Sequence, residues 1–170
     1  MDVLKGAAIV YGLVKKVSEN YPRVQVGKTS LQGMMYLIGR ELKENLYFSM
    51  YHFGPNSSFV SYCLNLAESL GALDVSFVEN KGYFIRPKTT GLEIRKQLEE
   101  CLEKNEKDVI EHVARHYGKF GPQRIKIIAS AFYVEENFGI RGETLVDIIS
   151  KITEQPNKCI SKILSEVKLS

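Results

Sequence analysis

The 170-residue chain has no tryptophan, three cysteines, three histidines and five prolines. It also has no apolar run approaching the roughly 18 residues that a membrane span needs. Cys63, Cys101 and Cys159 are odd in number and far apart, which excludes a disulfide framework and a C-x-x-C metal knuckle. They read as buried thiols in a reducing compartment. The stretch from Leu4 to Val17 is broken by Lys5, Lys15 and Lys16 and has no small-residue cleavage site, so it reads as a helix and not as a signal peptide. The expected location is cytoplasmic. No repeat, low-complexity tract or linker divides the chain. The net charge of +3 lies wholly in residues 1–91, an asymmetry that permits nucleic-acid contact without demanding it.

What is present is a succession of helical periods. Leu4, Ala7, Ala8, Tyr11, Val14 and Val17 make one apolar stripe that should end before Tyr21-Pro22. Thr29-Ser30-Leu31-Gln32 fits a capping box opening a second helix, with Leu31, Met34, Met35 and Ile38 facing the core. Gly33 and Gly39 inside that helix point to close approach of another backbone. The aromatic run Phe48 to Phe53 reads as a short strand ended by Gly54-Pro55, with His52 packed beside Gly54. A third helix, capped by Asn56 or Ser57, buries Val60, Cys63, Leu64, Ala67 and Leu70 and stops at Gly71. A β-hairpin follows, from Leu73 to Val78 and from Gly82 to Arg86, with Asn80 and Gly82 supplying the turn.

Thr90-Gly91-Leu92-Glu93 offers a second capping box for a helix to about Lys104, broken at Asn105. Further helices are expected over 106–117, 122–137, 143–153 and 156–167. The fold class is mainly α with a small β-hairpin (α+β). The order helix, helix, strand, helix, hairpin is that of a winged helix. Residues 1–91 form the winged-helix unit and 92–170 a helical extension packed on it as one globule.

Val26 to Gln32, Tyr36-Leu37, Ser49 to Ser57 and Leu70-Gly71-Ala72-Leu73 together resemble the small YwgA-type proteins of bacteria and archaea, relatives of the Panacea-type antitoxin domains. Ala129-Ser130-Ala131-Phe132-Tyr133 is similar more loosely. Gly33 stands where a basic residue is usual, and Phe53 where tyrosine is. The resemblance implies a winged-helix fold with a helical appendage and, for the antitoxin relatives, regulation through protein contacts.

Three candidate chemistries fall short on their own spacing. Gly27-Lys28-Thr29 looks like the end of a phosphate-binding loop, but Pro22 occupies the position of its first glycine. His112 and His116 lie four apart, as paired zinc ligands do, but Val113 replaces the glutamate of a zincin and no third ligand is apparent. No nucleophile or carboxylate pair accompanies His52. The sequence therefore predicts no enzyme, no cofactor and no metal. The alternatives are two. Tyr51, Phe53, Asn56, Ser58, Ser61, Tyr62 and Asn65 form a surface suited to a protein partner, since tyrosines among small polar residues make adaptable contacts. Alternatively the unit regulates transcription by binding DNA, with Lys28, Arg86 and Lys88 on phosphates. The third helix carries no Lys or Arg between Ser57 and Leu70, which favours the protein partner.

Overall fold

The computed structural model describes residues 1–168. Its elements are α1 (Val3–Asn20), α2 (Lys28–Leu42), β1 (Ser49–Tyr51), β2 (Gly54–Asn56), α3 (Ser58–Ser69), β3 (Leu73–Val78) and β4 (Gly82–Pro87). Then come α4 (Leu92–Glu100), α5 (Lys104–Tyr117), α6 (Pro122–Phe138), α7 (Gly142–Thr153) and α8 (Asn157–Glu166). The fold is mainly helical, with two antiparallel hairpins, β1–β2 and β3–β4. No helix among the described residues is long and apolar enough to cross a membrane.

Helix α1 occupies the centre. Its apolar residues run round the helix and not along one stripe, and every residue from Gly6 to Val14 is buried. Leu4, expected on the stripe, is instead exposed. Asp2 accepts the Lys5 N–H at 2.8 Å and caps the first turn. Two glycines let neighbours close in. A Cβ at Gly6 would stand 2.2 Å from Cys63 Sγ on α3, and one at Gly12 would stand 3.3 Å from Ile110 Cδ1 and from Leu102 Cδ1. Helices α3, α4 and α5 pack on α1, while α5 and α6 pack on α2, and a single apolar core joins them.

Neither expected capping box forms. Helix α2 starts one residue earlier, at Lys28 behind Gly27, with no side-chain cap. Gln32 turns inward because two backbone groups of a buried turn compete for its amide. The Thr90 box does not form: Gly91, at φ +70°, is itself the N-cap of α4, and no side chain caps the helix. The box that exists is Glu103 with Glu106 at the start of α5. Helix α4 consequently ends at Glu100 and not near Lys104. Asn105 lies within the first turn of α5 instead of breaking a helix, and Leu102 between the two helices turns into the core.

The aromatic run is not one strand. Residues Ser49–Tyr51 pair with Gly54–Asn56 in a miniature hairpin whose tip is His52-Phe53. His52 is therefore exposed at the tip and not packed in a strand. Pro55, opposite Met50, is tolerated because a two-stranded ribbon has free edges. The second hairpin forms over the expected strands, extended by Pro87, with Phe77 opposite Tyr83, Val78 opposite Gly82 and Asn80 at φ +66° in its turn. Gly71, at φ +83°, closes α3: its N–H donates to Glu68 O and that of Ala72 to Ala67 O. At Gly33 and Gly39 another stretch of backbone does come close, together with a side chain: a Cβ would stand 3.6 Å from the Ile125 carbonyl oxygen and 2.4 Å from Ile125 Cγ2 at Gly33, and 3.3 Å from the Glu44 carbonyl oxygen and 3.0 Å from Leu46 Cδ1 at Gly39. Of the cysteines only Cys63 is buried, and burial raises its thiol pKa to about 11; Cys101 and Cys159 are half-buried at the edge of the core.

Candidate partner-binding site

The site is built outward from Ser57. Its hydroxyl accepts the Val60 N–H at 3.2 Å and donates to the Leu46 carbonyl, which fixes the first turn of α3 against the loop before β1. Gln32, 7% exposed, accepts the Ser57 N–H and donates to the Ser57 carbonyl, and also donates to Ser61 Oγ at 3.2 Å. Helices α2 and α3 are thereby tied at one point. With Val60, Cys63, Leu64 and Ala67 buried, α3 presents Ser58, Ser61, Tyr62 and Asn65 outward, followed by Glu68 and Ser69. Tyr62 is 66% exposed.

Beside this face lies a groove of about 410 Å³ between the start of α2, β2, α3 and β4. Leu31, Pro55, Val60 and Leu64, all buried, line its apolar side, and its polar groups come from Thr29, Gln32, Asn56, Ser61 and Asn65. Phe53 from the β1–β2 tip and Tyr83 from β4 also line it. Lys28 is the one charged residue lining it, and its Nζ lies 4.0 Å from the centre of the Tyr83 ring. Lys126 of α6 approaches the Phe53 ring, with Nζ 5.6 Å from its centre.

Five of the residues singled out from the sequence thus meet in the groove: Lys28, Phe53, Asn56, Ser61 and Asn65. Ser58 and Tyr62 are on the outward face of α3, and Tyr51 is exposed at the end of β1 without lining the groove. Arg86 and Lys88 stand apart. Arg86 shares a separate recess under the second hairpin with Arg23 and Gln25, and its guanidinium lies 5.1 Å from the Phe84 ring centre. The Lys88 N–H donates to Ala72 O. Sequence reasoning missed Gln32, Tyr83 and Lys126. The signal for Tyr83 was its place across from Phe77, a cross-strand aromatic pair 5.1 Å apart with Phe77 64% exposed.

Elsewhere several titratable groups are paired. Tyr36 OH donates to Glu136 Oε2 at 2.9 Å, and Arg40 pairs with the other carboxylate oxygen. His112 faces Glu41 across 3.4 Å, and His116 Nδ1 lies 2.8 Å from the His112 carbonyl. Among the described residues no group of three or more His, Cys, Asp or Glu is placed to hold a metal ion. Compared with known proteins, the chain matches no family model and no curated protein.

Proposed function

We propose that the chain is a non-catalytic, cytoplasmic winged-helix adaptor or regulator that holds a protein partner on the outward face of α3 and the adjoining groove. The winged-helix reading draws support from one long-range hydrogen bond. Ile85 N–H donates to Val26 O at 2.9 Å, so the segment before α2 lies along β4 as a further extended piece of the wing. The partner reading is carried by the chemistry of α3: its exposed residues are hydroxyls, an amide, a tyrosine and one acid, with no cation. Nucleic-acid affinity depends chiefly on neutralised phosphates. A face without cations forgoes that term.

Photo-crosslinking tests this directly. A photoreactive residue at Tyr62 or Phe53 should trap a discrete protein in the native host, while the same group at Phe138, equally exposed at the end of α6, should not. Equal yields at all three sites, or recovery of nucleic acid alone, would count against the reading. DNA binding is a second reading, favoured by the recess that brings Arg23 and Arg86 together. It requires a steep salt dependence of duplex affinity that is lost on changing those two arginines.

A further inference from the structure

We infer that the segment received by the groove is a short peptide that places a carboxylate beside an apolar side chain. This rests on the partner reading above and specifies its chemistry. The groove has one charged lining residue, Lys28, and no acid. Several basic side chains elsewhere are paired with acids of the molecule: Lys5 with Glu106, Lys16 with Glu111, Arg40 with Glu136, Arg124 with Glu166 and Arg141 with Glu135. No salt bridge among the described residues involves Lys28 or Lys126. These two ammonium groups stand at the two aromatic residues of the groove, Lys28 against Tyr83 and Lys126 against Phe53. An incoming carboxylate therefore meets positive charge and no internal competitor.

The rest of the groove specifies what accompanies that carboxylate. The exposed rings of Phe53 and Tyr83, with the buried Leu31, Pro55, Val60 and Leu64 beneath them, make an apolar recess in the size range of sites that enclose small ligands. Asn56 and Asn65 bring amides, each with donors and an acceptor, which match a peptide backbone. The groove is also continuous with the exposed face of α3 through Ser61 and Asn65, so a chain emerging from it has a surface to follow. A free small molecule has no use for that continuation. A polyphosphate backbone needs a row of cations along its path, and Lys28 is the one cation in the lining.

The experiment is selection of linear peptides from a random display library on the full chain, followed by fluorescence polarisation of the enriched sequences. Asp or Glu next to Leu, Ile, Met or Phe should be enriched, and affinity should fall as salt is raised. Lys28→Glu should weaken the selected peptide about tenfold or more, with Lys28→Gln intermediate, and both variants should melt like the native chain. Selection repeated on Lys28→Glu should return Lys or Arg at the position of the acid. Enrichment of neutral or basic peptides, affinity indifferent to Lys28→Glu, or an oligonucleotide that displaces the peptide overturns the inference. Absence of any enriched peptide overturns it as well. If Tyr62 still cross-links a protein in those cases, the partner reading stands and only the acidic-peptide assignment falls.

Discussion

Gln32 holds the backbone of Ser57 from both sides, its Oε1 accepting the Ser57 N–H and its Nε2 donating to the Ser57 carbonyl, each at 3.0 Å. Both groups are buried, so neither can turn to water when the amide is removed. Gln32→Ala should cost about 2 to 3 kcal/mol in urea unfolding, the penalty of stranding buried polar groups. Gln32→Glu keeps an acceptor for the N–H but sets an ionised carboxylate against the carbonyl. Burial raises the pKa of such a carboxyl, so its deficit should shrink as pH is lowered and the acid form becomes able to donate. A pH-independent difference between native and variant chains would show that the clamp contributes little.

Gly33 makes a sharper packing test. A Cβ there would stand 2.4 Å from Ile125 Cγ2, nearer than side chains tolerate. Alanine improves helix propensity by about 1 kcal/mol, yet overpacking of this kind costs about 1 to 3 kcal/mol. Gly33→Ala should therefore be neutral to destabilising in the native chain and stabilising once Ile125 is changed to alanine. A double-mutant cycle by thermal melts measures the coupling, and simple additivity would contradict the close contact.

Tyr62 and Asn65 separate stability from function. Both are exposed, and neither makes part of the apolar stripe of α3. Changing both to alanine should shift stability by less than about 1 kcal/mol. The same change should weaken the cross-linked partner by about 2 kcal/mol or more if the pair forms an interface centre. Melts paired with capture of that partner decide the matter, and a double variant that retains it at full strength removes these residues from the surface.

Alkaline pH tests the interior. Burial raises the phenol pKa values of Tyr11, Tyr36 and Tyr117, assisted by Glu99, Glu136 and Glu41 respectively. In the unfolded chain these groups ionise near about 10. The stability they lend is therefore complete below that pH and is lost as pH rises toward their native values. Ultraviolet titration should show the Tyr11, Tyr36 and Tyr117 phenols ionising at higher pH in the folded protein than in the unfolded chain. All nine tyrosines titrating together in a chain that keeps its native circular dichroism would contradict the burial of these phenols.

What the sequence disclosed follows from how local each signal is. The β3–β4 hairpin was legible because Asn80 and Gly82 impose a turn on residues that are near neighbours along the chain. The outward face of α3 was legible from a helical stripe alone. The capping box at Thr29 was misread because its Gln32 answers to Ser57, a partner 25 positions away that no local pattern contains. The β1–β2 hairpin was missed because three-residue strands are too short to establish a period of two. The groove was half legible. Ser61 and Asn65 stand off the α3 stripe, but the meeting of Lys28 with Tyr83 depends on the second hairpin folding back over α2.

The Ile85–Val26 hydrogen bond has a kinetic consequence. It ties the strand that carries Tyr83 to the chain entering α2, while the Gln32 clamp ties α2 to α3. The walls of the groove are thus fastened to one another before anything arrives. A ligand meeting a cleft already in shape spends little of its interaction energy on ordering the receptor, and its capture is limited by encounter and orientation. Association should then proceed in a single phase whose rate rises linearly with ligand concentration, without the plateau that a slow opening step imposes.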